Sequence, residues 1–199
     1  MSLLFESIKV LNGKLINLDT HFARIIHSRK ALGIDSSVQD FENFFKNIQL
    51  PHFGLYKLRI DYDVKITEHK ITPYSLPSFK YLKLFYSNSF DYSLKYTNRI
   101  FLNIIEKSIP PDFAAAIIIS NRFTDATFAN LLFFDGSDFY TPKTPLLNGT
   151  KRSLYLAENR IKTADLRISD IQSFQSIHLI NSMIDIENHI FFQIDKIIF

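Results

Sequence analysis

The chain has 199 residues, 46% of them hydrophobic and 22% charged, so it can bury a core as one domain or two small ones, and disorder is not expected. It has no cysteine, which excludes disulfides, thiolate chemistry and cysteine-bound metal and fits a cytoplasmic protein. The net charge of +3 is slight and the longest strongly apolar run, Phe113 to Ile119, is too short to cross a bilayer, so neither a nucleic-acid nor a membrane partner is expected, and no signal peptide is visible.

In chain order, Phe5 to Leu11 reads as a strand that turns at Asn12-Gly13 into Lys14-Leu15-Ile16, a hairpin. Asp19 or Thr20 is expected to cap a helix with apolar positions at Phe22, Ile25, Ile26 and Ala31-Leu32, ended by Gly33. A second helix is predicted over Phe41 to Ile48, stopped before Pro51. Tyr56, Leu58 and Ile60 alternate with Lys57, Arg59 and Asp61, the pattern of a half-buried strand, and Val64 to Thr72 and Tyr81 to Tyr86 continue as strands. This first half is antiparallel in character and runs to residue 88. The second half, 89–199, opens with a helix over Arg99 to Lys107 and a buried strand over Phe113 to Ile119. Strands follow over Phe128 to Phe134 and Phe139-Tyr140 around an Asp135-Gly136 hairpin, then a helix over Lys151 to Glu158, and strands over Ile177 to Ile180 and Ile190 to Phe199. The expectation is an α+β chain with a small N-terminal α/β domain and a larger, β-rich C-terminal domain with flanking helices, meeting in a cleft near Asn88 to Lys95.

Three parts of the sequence carry chemistry. Lys95 stands in Ser93-Leu94-Lys95-Tyr96-Thr97-Asn98-Arg99, Asp125 in Thr124-Asp125-Ala126-Thr127-Phe128-Ala129-Asn130, and Thr150 in Leu147-Asn148-Gly149-Thr150-Lys151-Arg152. A primary amine, an acid and a glycine turn opening a helix are the parts that hold pyridoxal phosphate: a Schiff-base partner, a counterion for the ring nitrogen and amides for the phosphate. The six histidines show no metal-ligand spacing, so no metal is expected; most read as surface or capping residues.

This ordered set resembles the class IV aminotransferase family, the pyridoxal-phosphate enzymes of fold type IV. The likeness starts at Phe5-Glu6-Ser7-Ile8 with Asn12-Gly13 and continues through His21-Phe22-Ala23-Arg24. It then takes in Lys95 to Arg99, Asp125 to Asn130, Thr141-Pro142, Leu147 to Arg152 and Asn181-Ser182. The resemblance implies that Lys95 is the amine that joins the cofactor and shuttles protons, and that Asp125 pairs with the pyridine nitrogen. It implies that Arg24, the amides of Thr150 and Lys151, and Ser182 grip the phosphate, and that Arg59 faces a substrate carboxylate. A homodimer is also implied. Asp125 stands where the family generally carries Glu, so its carboxylate reaches about 1.5 Å less far. The Gly-Ile-Thr-Arg turn of the family is here Gly149-Thr150-Lys151-Arg152. The bland alternatives are a solvated lysine for Lys95, a turn residue for Asp125, exposed arginines for Arg24 and Arg59, an ordinary helix start at Thr150, and an N-cap role for Asn181 or Ser182.

The Lys95 to Arg99 run, Lys-x-x-Asn-Arg, is more similar to the lyase branch of the family than to the branched-chain enzymes, which tend to carry Gly-Asn-Tyr after their lysine. The expected reaction is therefore conversion of 4-amino-4-deoxychorismate to 4-aminobenzoate and pyruvate in folate synthesis, with a small amino substrate bearing a carboxylate. The second reading is a class IV aminotransferase acting on branched-chain or D-amino acids. The third is a non-catalytic relative of the same fold, motivated by Asp125.

Overall fold

The computed structural model describes residues 3–34 and 37–199. The chain divides into two compact units: one holds the residues up to Ser75 together with Leu94–Asn98, the other Leu76–Ser93 and Arg99–Phe199. The boundary expected at residue 88 is thus displaced to Ser75, and a five-residue excursion carries Lys95 back to the first unit.

The first unit is a four-stranded antiparallel sheet covered on one face by two helices. Strand β1 (Leu4–Leu11) turns through Asn12 and Gly13, both at positive φ, into the short β2 (Lys14–Leu15). Helices α1 (Leu18–Ala31) and α2 (Gln39–Asn47) follow, then β3 (Leu55–Tyr62) and β4 (Ile66–Pro73), and the sheet order is β2-β1-β3-β4. Alternate residues of a strand point to opposite faces. Leu4, Ile8 and Val10 of β1 and Leu58, Ile60 and Tyr62 of β3 accordingly pack with Ile25 of α1 and Phe41 of α2 in one core. Opposite the helices lie Phe5, Ser7 and Lys9, in register with Asp61, Arg59 and Lys57. Helix α1 starts two or three residues earlier than the sequence suggests. Its cap is Asn17 in the left-handed region (φ 55°), where Asn is tolerated, rather than Asp19 or Thr20. Leu94–Asn98 runs along the free edge of β1: the Phe5 N–H donates to the Lys95 carbonyl and the Thr97 N–H to that of Leu3, both at 3.0 Å.

The second unit is built on a sheet ordered β10-β9-β8-β7-β6-β5-β13, with β11 on β8 and β12 on β11. Strand β5 (Tyr81–Ser87), helix α3 (Ile100–Lys107) and strand β6 (Phe113–Ile119) form a parallel crossover, so β5 does not continue the antiparallel first sheet. A crossover helix is what two parallel neighbours require, and the Ala/Ile run of β6 is buried as parallel strands are. Strand β7 (Arg122–Ala126) turns within four residues into β8 (Asn130–Phe134), which hairpins through Gly136 (φ 107°) into β9 (Phe139–Pro142). Helix α4 (Thr150–Ala157), β10 (Lys162–Ala164) and β11 (Ser176–Ile180) follow. The single terminal strand expected over Ile190 to Phe199 is broken. Strand β12 (Phe191–Gln193) pairs with β11, a 3-10 turn over Ile194–Lys196 intervenes, and β13 (Ile197–Ile198) joins β5. Leu84, Ile118, Phe123, Leu131, Phe133 and Leu179 lie in the core. Among the described residues no helix is long and apolar enough to cross a membrane.

Candidate cofactor site

In the first unit, Lys95 is half-buried, with its Nζ 4.6 Å from the centroid of the Phe5 ring. The Arg59 guanidinium lies 4.0 Å from the same centroid. Phe5 (β1) and Arg59 (β3) share the sheet face opposite the helices, so one aromatic ring gathers the predicted amine and the predicted carboxylate fork. Arg59 is also paired with Asp61, Nε to Oδ1 at 2.6 Å and Nη2 to Oδ2 at 3.1 Å.

Arg24 is on α1, and its Nε and Nη2 both donate to Glu6, the Nε–Oε1 bond measuring 2.8 Å. His21 Nδ1 meets Glu6 Oε2 at 2.6 Å. Glu6 is fully buried. Burial opposes its charge, but the Arg24 cation and the His21 hydrogen bond outweigh that and hold its carboxyl down to about 2. His21 is lowered by its own burial, against the raising influence of Glu6, so the imidazole favours the neutral form. Most of the histidines are exposed, as expected, whereas His21 and His178 are buried. Glu6 was missed as a partner of Arg24. Its one signal was an acid at a position where the strand alternation, shared with Leu4, Ile8 and Val10, calls for an apolar residue.

In the second unit, Asp125 is on β7, buried, with both carboxylate oxygens engaged: Asn130 Nδ2 donates to Oδ1 at 2.7 Å and the Leu147 N–H to Oδ2 at 2.8 Å. Burial pushes its pKa up to about 6, and the donors from Leu147 and Asn130 restrain the rise. Asp125 is therefore a strand residue at a tight turn and not a solvated turn residue. Thr150 and Lys151 open α4, where Gly149 at the N-cap makes no side-chain hydrogen bond, so the cap supplies no side-chain oxygen to the first-turn amides. The Lys151 ammonium is ion-paired with Asp185, which leaves the backbone amide as the part of Lys151 suited to an anion. Arg152, buried, fastens the loop before α4 through Thr141 Oγ1 (3.3 Å), Asn148 Oδ1 (2.9 Å) and the Pro142 carbonyl (2.9 Å). Ser182 follows β11 and is half-buried; the neighbouring Asn181 closes a turn, its Oδ1 accepting the N–H groups of Met183 (2.8 Å) and Ile184 (3.0 Å), and the 3-10 turn that follows is capped by Asp185.

The structure thus groups Lys95, Arg24 and Arg59 in one unit and Asp125, Thr150, Lys151 and Ser182 in the other. A groove of about 590 Å³ between α2 and β4, lined by Phe44, Asn47, His69 and Ile71, contains none of them. Among the described residues no cluster of three or more His, Asp or Glu is placed to hold a metal.

The model of the family described as amino-transferase class IV matches residues 3–187. The chain belongs to that family. A Haemophilus influenzae protein of uncharacterised function is 33% identical over 183 residues, covering 90% of this chain and 97% of its own. The crystal structure of a provisionally assigned 4-amino-4-deoxychorismate lyase from Haemophilus somnus superposes with a TM-score of 0.82 at 26% identity, covering 92% of this chain and 97% of the other. A hypothetical aminotransferase from Mycobacterium tuberculosis in its PLP-bound form has the same fold, with a TM-score of 0.74 at 14% identity, covering 92% of this chain and 78% of that one. Class IV aminotransferases are fold-type IV, pyridoxal-phosphate-dependent enzymes, and this chain is one of them. Each unit, taken by itself, carries groups whose chemistry fits the cofactor: a half-buried amine at Lys95 in the first, and in the second a buried acid at Asp125 and an α4 N-terminus with no side-chain cap.

Proposed function

We propose that the protein is a 4-amino-4-deoxychorismate lyase, releasing 4-aminobenzoate and pyruvate in the cytoplasm for folate synthesis. The observation that carries this reading is the cationic sheet face beside Lys95. Lys9 stands opposite Lys57, and Arg59 opposite Lys70, in the strand register. Like charges directly opposite each other across strands are destabilising. They suit an anionic ligand, and a substrate with two carboxylates draws on more than one of them. The likeness to the Haemophilus somnus protein supports the same reading.

When bound, the cofactor supplies an aldehyde that captures amines and a ring that accepts electron density. Arg24, the Thr150 and Lys151 amides and Ser182 would hold its phosphate, and Asp125 would pair with its ring nitrogen. Arg59 orients a substrate carboxylate. Lys95 Nζ takes the proton from the amine-bearing carbon of the substrate; the enolpyruvyl group then leaves, is protonated to pyruvate, and the ring becomes aromatic. In the aminotransferase reading Lys95 would take the same proton and return it elsewhere, with no carbon–oxygen bond broken. We also propose a homodimer, for which Ile100 and Ile104, exposed one turn apart on α3, supply apolar surface.

Supplying 4-amino-4-deoxychorismate should yield 4-aminobenzoate and pyruvate in equal amounts. Amino transfer to 2-oxoglutarate without pyruvate would overturn the lyase reading. Borohydride should fix the cofactor to wild type and leave Lys95→Ala unlabelled.

A further inference from the structure

Leu147, two residues before the α4 N-cap, is gripped on both of its peptide groups by side chains of β7 and β8 that flank their connecting turn. Its N–H donates to Asp125 Oδ2 at 2.8 Å, and its carbonyl accepts from Asn130 Nδ2 at 2.9 Å. The other hydrogen of the same Asn130 amide reaches Asp125 Oδ1 at 2.7 Å. Asn130 stands directly opposite Asp125 in the strand register, so the turn between them fixes this geometry. The Asn130 Oδ1 lies against Gly149, and a Cβ at position 149 would fall well inside contact distance of it. Gly149 has φ −65° and ψ 145°, a conformation open to any residue. Room for the Asn130 amide, and not backbone freedom, is what calls for glycine there.

We propose that Asn130 is a positioning residue that ties the acid assigned to the cofactor ring to the amides assigned to its phosphate, so that ring electronics and phosphate grip are set together. One planar amide touches Asp125, Leu147 and the Gly149 cap, and an amide cannot shift toward one without leaving another. The shorter reach of Asp125 gives the tether more importance, because its carboxylate is aimed by Asn130 and Leu147 rather than by its own length. This inference rests on the cofactor reading of Asp125 and Thr150.

The test compares wild type with Asn130→Ser, which removes both donors, and Gly149→Ala, which keeps every polar group and only displaces the amide. Pyridoxal phosphate and pyridoxal, which lacks the phosphate, are titrated separately against each protein and followed by visible absorbance. In the cofactor-free proteins the Asp125 carboxyl is titrated by carbon NMR on aspartate-labelled samples. Both variants should lose about tenfold of the preference for pyridoxal phosphate over pyridoxal. In both, the Asp125 midpoint should rise by about one pH unit, since a donor to the ionised form is weakened. A folded variant with wild-type preference and midpoint overturns the tether, and so does one in which a single readout moves. If Asn130→Ser does not fold, Gly149→Ala decides. A wild type with no absorbance change and no preference overturns the cofactor assignment itself, and the tether with it.

Discussion

Replacing Glu6 with glutamine should destabilise the protein by about 3 kcal/mol at neutral pH, and the loss should shrink in acid. Glu6 is fully buried and accepts from Arg24 twice and from His21 once. Its carboxyl titrates at about 2 instead of 4.5. At about 1.4 kcal/mol per unit the shift corresponds to roughly 3 kcal/mol of native stability. An acid with a depressed native pKa contributes in full above its unfolded pKa and loses the contribution as pH falls toward the native one. Stability from Glu6 is therefore complete above about pH 5 and down to roughly 2 kcal/mol near pH 3.5. Glutamine keeps one acceptor but turns its amide hydrogens toward the Arg24 fork and leaves that cation, whose side chain is 10% exposed, without a carboxylate. Breaking a buried pair in this way costs about 3–5 kcal/mol, in agreement with the linkage value. Urea denaturation of wild type and Glu6→Gln at several pH values measures it. A difference under about 1 kcal/mol at neutral pH, or one that stays constant into acid, would refute the reasoning.

Arg152→Lys should cost about 2–4 kcal/mol in the same assay, because a lysine cannot reproduce three directed bonds to Thr141, Asn148 and Pro142; a loss under about 1 kcal/mol would deny the guanidinium its role in holding the loop before α4. His178 is held down to about 4 by burial, with His189 adding to it, so the unfolded chain takes up a proton that the native state refuses as pH falls from 6.5. Stability should therefore drop over that interval in wild type and drop less in His178→Phe, whose ring suits the Phe139 and Phe191 neighbours 5.1 and 4.9 Å away. Equal acid sensitivity in the two proteins would refute this assignment.

The regular elements with strong punctuation were legible from residue types: the Asn12-Gly13 hairpin, the alternation of β3 and the apolar run of β6 all form as expected. Strand pairing was not, because the pattern of β5 states how deeply it is buried and not which neighbour it takes. Strand β7 was hidden by its length of five residues and by Asn121 before it, a left-handed residue that reads as a loop. The site residues were marked by chemical type, while their supports were not. Glu6, Asn130 and Arg152 act through partners 18, 5 and 10 residues distant, and only the folded chain reveals those pairings.

Lys95 folds with one unit while its flanking segments belong to the other, so neither unit is a single continuous stretch of gene. A chimera made with one crossover anywhere between residues 76 and 93 would pair one parent's β1 edge with the other parent's lysine strand. For this chain, an exchange that keeps the two segments matched needs a second crossover after Asn98. A fragment ending at Ser75 would leave the Leu3 and Phe5 backbone without its edge partner, and would lack the amine on which the chemistry depends.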